Sequence, residues 1–274
     1  MKQPFFTIVI PALNEEKYLP NLLESLSQQT WRDFEVIVVD GLSKDKTADV
    51  AKSFEKKLPS LHVLVSTKAR LPLQRNIGAK HAKGEWYIFV DADTVLLPYC
   101  LERLSLFIHE TNPRFVTTWG RPDNEKSRES IHTLLYNISI EATLLFHHQL
   151  SPGPFTVVHK SVFDRVHGYD ESLQFGEDEN FSQRVADAGI SLSILRETLY
   201  IWSLRRFRTH GFFRATWIYV QSGLRIIFMK KNYSYIPGYI MGGHVYDTKA
   251  KPFRKSFFKS HEGKLKKALK ELFE

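Results

Sequence analysis

Apolar and polar positions follow two alternating periods along this chain. Phe6-Thr7-Ile8-Val9-Ile10 is a run of strand formers with no polar face, the pattern of a strand buried on both sides. Tyr18, Leu19, Leu22, Leu23 and Leu26 then recur at helical spacing, with Asn14 placed as an N-cap. The alternation repeats as strand 34–39 closing on Asp40-Gly41, helix 43–57, strand 61–65, helix 73–83 stopped by Gly84, and strand 86–90 running into Asp91-Ala92-Asp93. A helix from Pro98 to Glu110, a strand over 115–119 and a long helix from Lys126 to Leu150 follow. Strands separated by helices predict a mostly parallel, doubly wound α/β sheet flanked by helices.

From Ser151 the rhythm changes. Ser151-Pro152-Gly153-Pro154 predicts a loop, and short helices over 162–166 and 178–188 end at Gly168 and Gly189. Two short strands, 191–195 and 199–202, come next. Beyond them, Phe213, Trp217, Val220, Leu224 and Ile227 mark an amphipathic helix across 209–229. The segment 253–273 mixes Phe257, Phe258, Leu265, Leu269 and Leu272 with seven Lys and Arg. The expected organisation is an α/β domain over 1–202, divided at about residue 120, then a basic helical extension over 203–274.

Composition narrows the picture. With 43% hydrophobic and 25% charged residues the chain can bury a core, which excludes disorder. The net charge of +8 is unevenly placed: residues 203–274 carry 16 Lys and Arg against four acids, and the remainder is mildly acidic. A basic chain invites a nucleic-acid reading, but its cations are confined to the last quarter and no nucleic-acid-binding motif is present, so no such partner is expected. The basic amphipathic segment suits peripheral contact with an anionic membrane. Cys100 is the single cysteine, so no intramolecular disulfide can form, which fits a reducing compartment. No run of about 18 apolar residues occurs. The apolar start is broken by Pro11, and Asn14-Glu15-Glu16 follow without a small-residue cleavage site. These features predict a cytoplasmic protein able to attach at the inner face of the cell membrane.

Candidate chemistry sits after three of the predicted parallel strands, at residues 11–16, Asp40 and Asp91-Ala92-Asp93. Ligand crevices in such sheets lie at the carboxyl ends of the strands, so these groups should line one cleft. Neither Gly-x-Gly-x-x-Gly nor a Gly-Lys-Ser/Thr loop is present, which argues against a dehydrogenase or an NTPase. A nucleotidyltransferase would carry a basic glycine-rich loop where residues 11–16 are acidic. Two carboxylates after an all-apolar strand need a partner. Hard oxygen ligands suit Mn²⁺ or Mg²⁺ bridging to substrate phosphates.

The order of motifs is specific. Ile8-Val9-Ile10-Pro11-Ala12-Leu13-Asn14-Glu15-Glu16, Val38-Val39-Asp40-Gly41-Leu42-Ser43, Arg75-Asn76-Ile77-Gly78, Asp91-Ala92-Asp93 and Gly168-Tyr169-Asp170-Glu171 with Glu177-Asp178 resemble, in order and spacing, the signatures of the large family 2 of inverting glycosyltransferases with the GT-A fold. The resemblance covers about residues 5–190. It implies a Rossmann-like GT-A domain over 1–202, in which residues 1–120 bind a nucleotide-diphospho-sugar donor, with UDP the commonest nucleotide and GDP or dTDP as alternatives, and residues 121–202 bind a hydroxyl-bearing acceptor. Pro11, Ala12, Asn14 and Glu16 would then line the nucleotide pocket and Asp40 would accept from the base ring. Arg75 would lie near the pyrophosphate or sugar, and Asp91 and Ala92 near the ribose or donor sugar. Asp93 would hold the metal, with His210 or His244 as a late ligand. Asp178 would be the general base, with Glu177 beside it.

Three departures stand out. Gly41 follows Asp40 where the family usually has paired acids. Trp202-Ser203-Leu204-Arg205-Arg206-Phe207-Arg208 replaces the Gln-x-x-Arg-Trp of processive synthases, so one sugar per encounter is expected. Arg205, Arg206 and Arg208 could close over the diphosphate or bind an anionic acceptor, since guanidinium groups pair bidentately with phosphate. A polyprenyl-phosphate acceptor is the alternative, but an anionic phosphate oxygen needs no general base, and Glu177-Asp178 favour a hydroxyl.

Overall fold

The computed structural model describes residues 3–124, 127–145 and 149–210. His244, the amphipathic stretch beyond 210 and the basic segment 253–273 lie outside those residues, as do the side chains of Arg206 and His210.

Eight strands form one mixed sheet in the order β3-β2-β1-β4-β7-β6-β8-β5. These are β1 (Phe6–Ala12), β2 (Phe34–Asp40), β3 (Leu61–Val65), β4 (Trp86–Val90), β5 (Val95–Leu96), β6 (Phe115–Pro122), β7 (Phe155–His159) and β8 (Leu192–Trp202). The helices are α1 (Leu19–Ser27), α2 (Thr47–Lys52), α3 (Leu71–His81), α4 (Cys100–Thr111), α5 (Ser127–Leu145), α6 (Lys160–Arg165), α7 (Glu177–Asp187) and α8 (Arg205–His210). Strands β1, β2, β3 and β4 are mutually parallel. β7 enters antiparallel between β4 and β6.

The central strands read as unbroken apolar runs because each feeds two cores. Ile8, Ile10, Trp86, Ile88 and Val90 pack on one face with Leu19, Leu22, Leu23 and Leu26 of α1 and Leu101 and Leu104 of α4. Their alternating neighbours Val9, Tyr87 and Phe89 pack on the other with Val162, Phe163, Tyr169, Phe181 and Val185. That is the period of two of a strand covered on both sides. Gly78 lets α3 close on β1, because a Cβ there would stand 2.3 Å from a methyl of Val9.

Several local expectations need correcting. β7 lies in the middle of the sheet, where only a loop and a helix were foreseen. The two short strands predicted over 191–202 are one strand, β8, whose pairing with β6 shifts register around Trp119. Asn14 does not cap α1, which starts at Leu19 after Tyr18 with no side-chain cap. Gly84 is not a helix stop: α3 ends at His81 and turns at Ala82. Gly84 instead permits close approach to β1, where a Cβ would meet the Thr7 nitrogen at 2.6 Å. The helix predicted over 43–57 contracts to α2, after a loop shaped by Asp45, which accepts from the Thr47 N–H at 3.0 Å.

Candidate active site

Because β1, β2 and β4 run parallel side by side, Ala12, Asp40 and Asp91 emerge at one edge of the sheet. The loop after β1 is sewn to the loop after β2. Asn14 has φ 54°, a conformation its short polar side chain tolerates. Its Oδ1 accepts from the Lys44 N–H at 2.7 Å, and its own N–H donates to Ser43 Oγ at 2.8 Å. Glu16 accepts from the Lys46 N–H at 3.0 Å, and the Glu15 N–H donates to Thr47 Oγ1 at 2.8 Å. Pro11 and Ala12 are the buried last residues of β1.

Asp40 is buried, and its Oδ2 accepts from the Ser43 N–H at 3.1 Å. Its Oδ1 is buried with no hydrogen-bond partner among the described residues. A buried acceptor left unpaired costs about 1–3 kcal/mol, which a ligand donor would recover. The Gln74 amide donates to Val39 O at 2.8 Å and Ala12 O at 3.0 Å, fastening the two strand ends. A Cβ at Gly41 would stand 2.9 Å from Gln74 Oε1, so the acid that the resemblance leads one to expect there would have to shift the Gln74 amide from the two carbonyls it holds.

Arg75 organises one side of the cluster. It is 1% exposed and reaches three acids from two elements: Asp91 after β4 at 3.2 Å, and Glu177 at 3.3 Å and Asp178 at 3.6 Å in the first turn of α7. Its Nη2 also donates to the Gly153 carbonyl at 3.1 Å, and the guanidinium lies 5.0 Å from the Tyr169 ring centre. Burial works against the Arg75 charge, but Tyr169 and the surrounding carboxylates outweigh it and hold the group cationic. Burial and the adjacent Asp178 charge push Glu177 well above the usual carboxylate range, against the pull of Arg75. Glu179, half-buried on the same turn, is pushed up to about 8 by burial and by Asp178. Glu177 is nearly enclosed at 7% side-chain exposure, whereas Asp178 is 27% exposed. Only the second can meet a substrate directly. Gly153 abuts it, since a Cβ there would stand 2.5 Å from Asp178 Oδ2.

Arg205 organises the opposite side. From the first turn of α8 its Nη2 and Nη1 reach the two Glu15 oxygens at 2.5 and 3.0 Å, and its Nε stands 3.0 Å from Asp93 Oδ2. The guanidinium lies 4.3 Å from the Tyr18 ring centre. Burial is again outweighed, here by Asp93, Glu15 and Tyr18. Tyr18, Asn21, Asp93, Asp123 and Ser203 line a small recess at this point. Ala92 is buried in the first core, so its side chain serves packing.

Sequence reasoning had singled out Arg75, Asp91, Asp93, Glu177, Asp178 and Arg205. It passed over Glu15, Tyr18, Gln74, Gly153, Tyr169 and Glu179. Position next to a motif residue was the available signal for Glu15, Gln74 and Glu179. Nothing local marks Gly153 or Tyr18.

Comparison with known proteins decides the family. The model of glycosyl transferase family 2 matches residues 7–167, more than half of the chain. The chain belongs to glycosyl transferase family 2. It is 31% identical over 180 residues to an uncharacterized glycosyltransferase of Haemophilus influenzae, covering 64% of this chain and 60% of that protein. It is 28% identical over 213 residues to the poly(ribitol-phosphate) beta-N-acetylglucosaminyltransferase TarS of Staphylococcus aureus, covering 75% of this chain and 36% of TarS. The alignments therefore span less than two thirds of these relatives. Among solved structures, TarS residues 1–349 with UDP-GlcNAc aligns at TM-score 0.60 and 24% identity, covering 72% of this chain and 58% of that one. A Pyrobaculum calidifontis mannosyltransferase with GDP-Man and Mn²⁺ aligns at TM-score 0.60 and 20% identity, covering 73% and 57%. Those structural likenesses establish the fold of this family 2 chain. Among the described residues no group of three or more His, Cys, Asp or Glu stands ready for a metal, and no helix is long and apolar enough to cross a membrane.

Proposed function

We propose that this chain moves one sugar from a nucleotide-diphospho-sugar, UDP-linked by preference, to a hydroxyl acceptor, with inversion at the anomeric carbon and Asp178 as general base. The observation that carries the reading is the division of labour on α7. Glu177 is enclosed against Arg75, while Asp178 stays accessible and shares that arginine with Asp91, which follows β4.

A hydroxyl is a weak nucleophile near neutral pH. A carboxylate within hydrogen-bond reach takes its proton as the new bond forms, worth about 10²–10⁴ in rate. Arg75 ties Asp178 to Asp91, which fixes the base relative to the donor side of the cleft. Glu177 then acts as the anchor of that arginine rather than as a second base. The unpaired Asp40 Oδ1 offers a base ring N–H the acceptor it needs.

The residues fit a hard divalent cation, because Asp93 presents carboxylate oxygen at the cleft and Mn²⁺ or Mg²⁺ can complete its shell with phosphate and water. When bound, the cation supplies charge that stabilises a departing nucleoside diphosphate. Asp93 would hold it. Arg205 Nε meets the same carboxylate, so a cation held by Asp93 would compete with that pair. Arg205, once released, is a natural clasp for diphosphate.

The test is Asp178→Asn, with UDP affinity and sugar transfer followed in parallel. The proposal expects UDP to bind within about threefold of wild type while transfer falls by roughly 10²–10⁴. Unimpaired transfer would remove Asp178 from the reaction.

A further inference from the structure

Asn76 stands next to Arg75 in α3, yet the proposed function gives it no work. Its side-chain amide is engaged with the turn that leads into α7. Oδ1 accepts from the Tyr169 N–H at 2.8 Å, and Nδ2 donates to the Tyr169 carbonyl at 2.8 Å and to Glu171 Oε1 at 2.9 Å. The backbone is shaped to receive that amide. His167 and Gly168 take φ 59° and 65°, and a Cβ at Gly168 would stand 2.7 Å from Asn76 Oδ1. From the other side α7 grips the same turn: Arg184 Nη2 donates to the Gly168 carbonyl at 2.7 Å, and Nη1 donates to that of Val166. Tyr169 is thereby set as a wedge. Its buried ring stacks on Phe181 of α7 at 4.5 Å, meets Phe89 of β4 edge-on at 5.1 Å and lies 5.0 Å from the Arg75 guanidinium. The Tyr169 hydroxyl is buried with no hydrogen-bond partner among the described residues, so the ring face carries these contacts.

We propose that Asn76 and the Tyr169 ring are positioning residues, which hold Arg75, and through it the Asp178 carboxylate, in register with Asp91 at the end of β4. The proposal rests on the reading of Asp178 as the general base. Its ground is the number of attachments. Arg75 by itself meets the start of α7 around one guanidinium, and a single meeting point leaves α7 free to pivot about it. Asn76, the next residue of the same helix, adds a second point on the turn that enters α7, and Arg184 ties that turn to α7 itself. Two attachments from consecutive residues of a rigid helix fix orientation as well as distance. The Tyr169 ring fills the space between them, one face against Phe181, which lies one helical turn after Glu177 and Asp178. A base held to a narrow range of positions by groups that never touch the substrate is the usual need of such a site.

The test is a kinetic cycle in the full-length chain: wild type, Asn76→Ala, Asp178→Asn and the double variant. Turnover is read as UDP released from UDP-N-acetylglucosamine with water as the accepting hydroxyl. The water oxygen bonds to the anomeric carbon, its proton passes to Asp178, and UDP leaves with the electron pair of the broken bond. Asn76→Ala is expected to lower kcat roughly 10- to 100-fold and to keep KM within about threefold. The double variant is expected to turn over within about threefold of Asp178→Asn alone, because a residue that acts through the base has nothing left to act on. Losses that multiply in the double variant would make Asn76 a purely structural residue and overturn the proposal, as would a raised KM with kcat kept. Full turnover in Asn76→Ala beside a crippled Asp178→Asn would overturn the positioning role and leave the base in place. Full turnover in Asp178→Asn would instead remove the reading on which the proposal rests. For the ring, Tyr169→Phe is expected to exceed Tyr169→Leu in kcat by at least about tenfold, and equal rates in the two would take the ring out of the proposal.

Discussion

The two arginine-centred arrays of the cleft look alike and are built for different work. Arg75 is enclosed by residues drawn from α3, the β4 edge, the Gly153 loop and α7, all inside the matched span or packed directly on it. Arg205 comes from α8, 190 residues after its partner Glu15, and it also engages Asp93. The carboxylate facing Arg205 Nε is 19% exposed, and water can replace the arginine there. Exposure alone does not separate the arrays, because each holds one enclosed acid, Glu177 at 7% beside Arg75 and Glu15 at 8% beside Arg205, with more open carboxylates around it. On the proposed reading one array is a fixed frame that sets the base, and the other is a clasp that can exchange a guanidinium for a cation at Asp93.

Removing the frame should have the largest effect. Arg75→Met strands Glu177 in a buried site and is expected to cost about 3–5 kcal/mol, read from the denaturant midpoint. Gly153→Ala leaves the frame's charges in place but forces Asp178 aside, since the new Cβ would meet its Oδ2 at 2.5 Å. A fall in kcat of roughly 10- to 100-fold, with UDP affinity kept, is expected from such a misplacement. Arg205→Met lets Asp93 regain water but strands Glu15 at 8% exposure, so it is expected to cost about 3 kcal/mol, the low end of the range for a broken buried pair. A loss at Arg205 larger than that at Arg75 would erase the distinction between frame and clasp.

The smallest effect concerns pH. Glu179 rises from an ordinary value of 4.5 to about 8 in the folded chain. The folded state thus holds a proton that the unfolded state releases, and stability falls as pH climbs from about 4.5 to about 8. Glu179→Gln should flatten that slope and gain on the order of 1 kcal/mol over wild type at pH 9, with no gain at pH 4, in paired denaturation curves.

What could be read in the sequence followed from local signals. β1, β2 and β4 were legible because burial on both faces removes polar residues from the run. The carboxylates after them were legible because strand ends in a parallel sheet converge. β7 was not, because Phe155–His159 is five residues wedged between Pro154 and α6, and its strand character comes from pairing with β4 and β6. β8 was split in two because Arg196 and Glu197 interrupt its apolar pattern opposite the register shift at Trp119. Asn14 has the right residue type for a cap, yet its side chain is taken by Lys44, thirty residues on. Gly41 departs from the family's usual acid, and Gln74, packed against it, supplies the reason. The Glu15–Arg205 pair joins residues so distant in the chain that no local pattern announces it.

The central claim is that the strand ends form a donor cleft in which a cation replaces Arg205 at Asp93. Calorimetric titration of UDP with and without Mn²⁺, into the wild-type chain and Asp93→Ala, tests it most directly. The account predicts Mn²⁺-dependent UDP binding that the substitution abolishes. Failure of UDP, GDP and dTDP to bind under any metal would contradict the donor cleft, and UDP binding indifferent to both Mn²⁺ and Asp93 would contradict the exchange.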